Sequence, residues 1–345
     1  MTDKKDIRTI SLEEITLFFE QNNEKPFRAK QVFEWLWIKS VRSFDKMSNI
    51  PKNLLILLEE HFTINPVVVD QFYKSKDRTI KFGFNLHDGN KIEGVLIPSA
   101  ERITACVSTQ VGCPLNCAFC ATGKNGFIRN LTYAEIYDQV VLISEAAIRE
   151  YNQKLSNIVY MGMGEPFLNY ENTIESIKKI TSPSGLAMSP QRITFSTAGL
   201  PDKIVKFADE NINVKLAISL HSAIGYKRDI LMPVNKKFTL SELSEALVYY
   251  HNKTKNRVTF EYLLLYGFND TIDDATELAK YCRSFPVKIN LIEYNRIDDT
   301  SFTKSSAVKL EQFKNYLENK NMLVNIRKSK GEEIFAACGQ LSNKK

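Results

Sequence analysis

Cys113, Cys117 and Cys120 stand in the run STQVGCPLNCAFCATG with Cys-x3-Cys-x2-Cys spacing. Thiolates this close in sequence can grip one metal centre from a single loop. A 4Fe–4S cube closed by four cysteines serves electron transfer; three cysteines leave one iron open to a small molecule, and so to chemistry. Structural zinc is the competing reading, but it wants four Cys or His ligands, and no His lies near the triplet. A disulfide reading needs an oxidising compartment, whereas the opening residues MTDKKDIRTI lack the apolar segment of a secretory signal.

Other residues have the right types for a shared site. Gly164 in MGMGEP allows close backbone approach to a ligand, and the adjacent Glu165 can accept hydrogen bonds from an ammonium group. Ser196, Ser219-Leu220-His221 and Asn295 offer hydroxyl, backbone, imidazole and amide contacts. Cys106 precedes the triplet, and Cys338 lies in a late segment flanked by Gly331 and Gly339 that could fold back over a site. Cys282, within DDATELAKYCRSF, fits a small buried hydrophobe. Taken alone, His221 reads as a satisfied buried histidine and Glu93 in IEGVLIP as a surface residue of an alternating strand.

A strand–helix alternation must position these residues. Candidate strands from residue 102 onward are RITACVSTQ, NIVYMGM, RITFSTA, VKLAISLH, RVTFEYLLL and VKINLIEYN, with MLVNIRK at 322–328. Helical patterns lie between them, the clearest opening on the Thr132 capping box and running to Tyr151. Others cover about 170–181, 201–210, 239–253, 271–284 and 306–320. Such alternation predicts parallel strands joined by helical crossovers, an α/β partial (β/α)6 barrel over 99–330. Barrel sites lie at the C-terminal strand ends, where the cluster loop, GEP, STAG, SLH and Asn295 all fall. Residues 1–65 read as a helical accessory domain with Trp35 and Trp37 in its core, residues 66–98 as a β-hairpin connector turning at Asp88-Gly89, and 331–345 as a tail.

The chain has 345 residues, is 43% hydrophobic and 25% charged, and carries a net charge of +6. This is ordinary globular composition with no apolar run of membrane-spanning length. The expected setting is the cytoplasm, as a monomer. Positive charge concentrates in KSKDRTIK (74–81), in YKRD and NKK (226–237) and in IRKSK (326–330), each a solvated segment or an RNA contact.

The triplet with Phe119 before Cys120 resembles the radical S-adenosylmethionine (SAM) superfamily. With Glu93, Cys106, MGMGEP, STAG, ISLH, Asn295 and AACGQL in order, the chain further resembles the dual-specificity ribosomal and transfer RNA adenine-C2 methyltransferases, from about Arg28 to Leu341. The resemblance implies a 4Fe–4S cluster on Cys113, Cys117 and Cys120, with SAM held by Gly164, Glu165, Ser196, Ser219, Leu220, His221 and Asn295. It implies Cys338 as an S-methylcysteine carrier, Cys106 as its transient disulfide partner and Glu93 as proton acceptor. Substrates would be 23S rRNA and tRNA, with an electron donor such as flavodoxin. Adenine carbon 2 lies between two ring nitrogens and is too electron-poor to attack SAM as a nucleophile, which is why a carrier and a radical are needed. The alternatives are a C8 methyltransferase of the antibiotic-resistance type, against which Pro166 of GEP speaks, and a non-enzymatic Fe–S RNA-binding module, against which the strand-end set speaks.

Overall fold

The computed structural model describes residues 4–298 and 300–342. Ten strands form one sheet: Val68–Lys74 (β1), Ile80–Asn85 (β2), Lys91–Pro98 (β3), Ile103–Cys106 (β4), Asn157–Tyr160 (β5), Ile193–Thr197 (β6), Lys215–Ser219 (β7), Val258–Leu264 (β8), Val287–Glu293 (β9) and Leu323–Arg327 (β10). Each lies beside its predecessor in the chain. Pairing is antiparallel from β1 to β4 and parallel from β4 to β10. The parallel part is the expected open barrel, with β4 to β9 each followed by a helical crossover.

The parallel strands read as near-continuous apolar runs because both their faces are covered; in β8 only Thr259 is not buried. The covering helices include Tyr133–Tyr151, Tyr170–Thr181, Pro201–Asp209, Leu240–Thr254, Ile272–Tyr281 and Ala307–Glu318. Capping boxes at Thr132, Thr239 and Thr271 start three of them, each threonine taking a backbone N–H that the helix leaves unpaired. Pro201–Asp209 then buries Ile204, Phe207 and Ala208 along one stripe.

The hairpin forms about Asp88-Gly89 as expected, but β1, which the sequence reading left out, pairs with β2, and β3 pairs with β4, so the connector strands extend the barrel sheet. Helices Leu12–Gln21, Phe27–Trp37 and Lys52–His61 make the N-terminal region, to which the structure adds a two-stranded parallel pair, Lys5–Asp6 with Phe62–Thr63. Trp37 is buried, edge-on to Tyr137. Trp35 is only half-buried, with the Lys39 ammonium 3.4 Å from its ring centroid.

A buried ion pair ties this region to the barrel. Both Asp138 carboxylate oxygens accept from Arg8 Nη1, at 2.8 and 2.7 Å, and Asp138 Oδ2 also accepts from Val67 N. Arg8 Nη2 donates to Asp6 and to the Asn65 carbonyl. The Tyr133 and Tyr137 hydroxyls donate to the carbonyls of Arg8 and Trp37. Among the described residues no helix is long and apolar enough to cross a membrane.

Candidate functional site

Strands Gln110–Gly112 and Phe127–Asn130 pair antiparallel and close the base of the loop that carries the triplet. Gly112 has φ +76°, and a Cβ there would lie 1.9 Å from the Gly126 carbonyl oxygen, so only glycine permits the closure. Cys113 N donates to that same oxygen at 2.8 Å, and Cys120 N to the Cys117 carbonyl at 3.1 Å. The three cysteines line one cavity with about 1480 Å³ of unfilled space, counting its open mouth.

Of the residues expected at the site, Cys106, Gly164, Glu165, Ser196, Ser219, His221, Asn295 and Cys338 line this same cavity. Gly164 (φ +100°) crosses so close to Gln110 that a Cβ would lie 2.6 Å from it. Gln110 Oε1 in turn accepts from Glu165 N at 2.8 Å. The Glu165 carboxylate accepts from Phe167 N at 3.1 Å and Ala198 N at 2.8 Å. Burial still pushes its carboxyl up to about 7, because the Ala198 amide, the Thr197 side chain and the Phe167 amide only partly offset desolvation.

His221 Nδ1 accepts from Leu263 N at 3.0 Å, leaving the hydrogen on Nε2 as a donor. Burial, then Arg228, pushes the imidazole pKa down to about 3, so the ring is neutral at pH 7. The histidine is therefore both satisfied and at the cavity wall. Leu220 does not line the cavity: it is fully buried, its N–H donating to the Glu261 carbonyl and its own carbonyl accepting from Arg228 Nε. Asn295 donates through Nδ2 to the Cys338 carbonyl at 3.3 Å, while its Oδ1 is buried without a partner.

Cys106 ends β4, and burial pushes its thiol up to about 12. Cys338 is accessible because its side chain faces the cavity, yet protein surrounds it: burial raises its pKa, with Arg327 pulling the other way. All six cysteines are free thiols, so the disulfide expected between Cys106 and Cys338 is not formed in this structure. The tail is held by the cluster loop. Gly339 O accepts from Ala121 N at 2.7 Å and Leu341 O from Thr122 Oγ1 at 2.6 Å.

Glu93 does not line the cavity directly. It is buried, with Oε1 3.1 Å from Lys81 Nζ and Oε2 accepting from Ser342 N at 2.9 Å, and Leu341 beside Ser342 does line the cavity. The alternating-strand reading of a surface glutamate therefore fails.

The basic clusters divide. Arg228 of YKRD is fully buried, donating to the carbonyls of Leu220 and Ala198 and to Asn235 Oδ1, and so is not an RNA contact. Arg327 of IRKSK lines the cavity near Cys106 and Cys338, with Nη1 3.6 Å from Glu261 Oε2. Glu261, missed by sequence reasoning, is buried at the cavity wall and its Oε1 accepts from Asn290 Nδ2 at 2.8 Å. A lone acid inside the apolar run VTFEYLL was the available signal.

The donor set fits a cluster with a bound amino acid-like ligand. Three thiols share a cavity whose wall holds a partly uncompensated carboxylate in Glu165 and an unpartnered amide oxygen in Asn295. A cationic ammonium and a hydrogen-bond donor are what those two atoms lack.

Comparison with known proteins agrees. Residues 5–64 match the model of the family described as "Ribosomal RNA large subunit methyltransferase N-terminal domain", and residues 107–281 that of the "Radical SAM superfamily". A "Probable dual-specificity RNA methyltransferase RlmN" from Cytophaga hutchinsonii is 52% identical, covering 99% of this chain and 93% of the relative. One of the same description from Thermotoga maritima is 44% identical, covering 99% and 98%. A crystal structure of a radical SAM methyltransferase from Sphaerobacter thermophilus superposes with a TM-score of 0.92 at 38% identity, covering 98% of this chain and 99% of that one.

Proposed function

Because the chain belongs to the dual-specificity RNA methyltransferases of the radical SAM superfamily, we propose that it methylates carbon 2 of an adenosine in 23S rRNA and in tRNA next to the anticodon, through a methyl group carried on Cys338. The observation that carries this reading is that Cys338, from the tail, and Cys106, from β4, open into the cavity lined by Cys113, Cys117 and Cys120. A transferase acting directly from SAM would need no carrier thiol there.

Cys113, Cys117 and Cys120 would hold the 4Fe–4S cluster, and Gly164, Glu165, Ser196, Ser219, His221 and Asn295 would hold SAM, with Leu220 supporting through its backbone. When bound, these groups supply a methyl group and a 5′-deoxyadenosyl radical. The residues of the chain do the rest. The Cys338 thiolate takes the methyl by displacement. After losing one hydrogen atom, that S-methyl group adds through its carbon to adenine C2. One electron leaves the adduct for the cluster that Cys113, Cys117 and Cys120 would hold, and Glu93 takes the C2 proton. Cys106 then attacks the Cys338 sulfur; the S–C bond breaks, its electron pair leaves with the methylene carbon, and a proton completes the methyl group. The disulfide so formed is reduced by external thiols.

Residues 1–65 serve as the RNA-binding accessory domain, supported by the match of 5–64 to the ribosomal RNA methyltransferase N-terminal domain. The target adenosine is unstacked to enter the cavity. The setting is a cytoplasmic monomer fed by a donor such as flavodoxin.

The test is anaerobic turnover with methyl-deuterated SAM and a ribosomal RNA fragment, then mass spectrometry of digested nucleosides. The expected product is 2-methyladenosine with one deuterium fewer than the donor methyl, and a Cys106→Ala variant that stays crosslinked to RNA. An 8-methyl product, or free methylated RNA from Cys106→Ala at the normal rate, overturns the reading.

A further inference from the structure

We infer that Lys81 is a positioning residue for Glu93: it aims the carboxylate and keeps a counter-charge beside it through each proton transfer. This rests on the reading of Glu93 as the C2 proton acceptor.

The sheet register brings the two side chains together. In the antiparallel pair of β2 and β3, Lys81 is opposite Val95 and Gly83 opposite Glu93. Lys81 and Glu93 are thus diagonal neighbours on one face, within reach for a long side chain. Gly83 brings no side chain of its own opposite Glu93, and Gln71 of β1 packs over it, a Cβ there lying 3.2 Å from Gln71 Cγ. The result is a 3.1 Å contact between Lys81 Nζ and Glu93 Oε1, each side chain 7% exposed. The backbone beneath is pinned: the Glu93 carbonyl accepts from Ser108 Oγ at 2.6 Å, and Ser108 Oγ accepts from Met163 N, which ties β3 to the MGMGEP loop.

The two carboxylate oxygens have different jobs. Oε1 belongs to Lys81, a partner fixed in the sheet. Oε2 belongs to Ser342 N, on the tail that carries Cys338. A shift of the tail frees Oε2 to accept a proton while Lys81 keeps the group oriented. When the C2 proton arrives, the C–H electron pair stays with the ring and the carboxylate becomes neutral. Lys81 is then a buried cation without a counter-charge, a costly state. The proton therefore passes on to water and the ion pair re-forms. A solvent-exposed glutamate would have no such restoring force.

The test uses full-length, cluster-loaded enzyme and RNA whose target adenosine carries either hydrogen or deuterium at C2. In Lys81→Met, Cys338 methylation and 5′-deoxyadenosine formation are expected at wild-type rates in the first turnover, since both precede proton removal. Output of methylated RNA should fall about ten- to a hundred-fold, protein–RNA crosslink should accumulate, and C2 deuteration should slow turnover several-fold where it hardly affects wild type. Lys81→Arg should restore most of the output. Should Lys81→Met not accumulate as folded protein, Lys81→Gln carries the same expectation. Normal output with no isotope effect overturns the inference, as does loss of Cys338 methylation together with product, which would mark a merely structural role. A wild-type arm that makes no 2-methyladenosine instead sinks the reading of the function, and the inference with it.

Discussion

The joint between the N-terminal helices and the barrel, and the cavity at the barrel mouth, both bury charge, but they settle it differently. At the joint, Arg8 meets two carboxylates and a carbonyl, and Asp138 accepts from Arg8 and from a backbone amide. At the cavity, Asn295 Oδ1 has no partner, and Glu165 is ionisable only at the expense of burial. Buried polar groups are normally paired. An acceptor left unpaired at the cavity wall is completed from outside the chain, whereas the Arg8–Asp138 ion pair is complete in itself. Burial of charge alone thus does not mark function; its lack of closure does.

Removing a thiol of the triplet should expose this difference most sharply. Cys117→Ser is expected to abolish the iron–sulfur absorbance and RNA methylation while leaving the far-ultraviolet circular dichroism and melting temperature of the apoprotein near wild type. A collapse of the apoprotein would show that the loop thiols serve the fold. Next in size is Arg8→Met, which strands Asp138 and Asp6 inside the joint. It should cost about 3–5 kcal/mol in urea unfolding, and an unchanged midpoint would mean that water already serves the joint.

The smallest effect has the opposite sign. Glu165 has a folded pKa of about 7 against an ordinary 4.5. A raised folded value means that its favourable contribution is full below 4.5 and is lost as pH rises through 7. Glu165→Gln should therefore stabilise the apoprotein at pH 8, by an amount on the order of 3 kcal/mol, have no effect near pH 4, and weaken SAM binding in calorimetry. A variant less stable at pH 8 would place Glu165 with the self-sufficient Arg8–Asp138 pair.

The barrel was legible because its strands are apolar runs and its helices open on capping threonines such as Thr132 and Thr239. The strand-end residues followed from that alternation. What escaped depends on register and long-range contact. Strand β1 is mostly exposed and lacks an apolar face to betray it. Arg228 sits in a string of basic residues, yet it is the one whose side chain turns inward to two carbonyls, a choice set by the loops it meets. The partnership of Lys81 with Glu93 needs the β2–β3 register, and no local pattern announces it. Cys338 was recognisable as a tail residue, but the docking of its neighbours Gly339 and Leu341 onto Ala121 and Thr122 spans more than two hundred positions of the chain.

The strictly sequential order of the sheet bears on how the molecule is made. Each strand can add to an edge already laid down, so the barrel suits vectorial growth behind the ribosome, domain and sheet advancing together. Cys338 lies beyond the last strand, β10. A nascent chain can thus complete its scaffold, and the loop of Cys113, Cys117 and Cys120, before Cys338 is added. The thiol proposed to carry the methyl group is among the last parts of the cavity to be made.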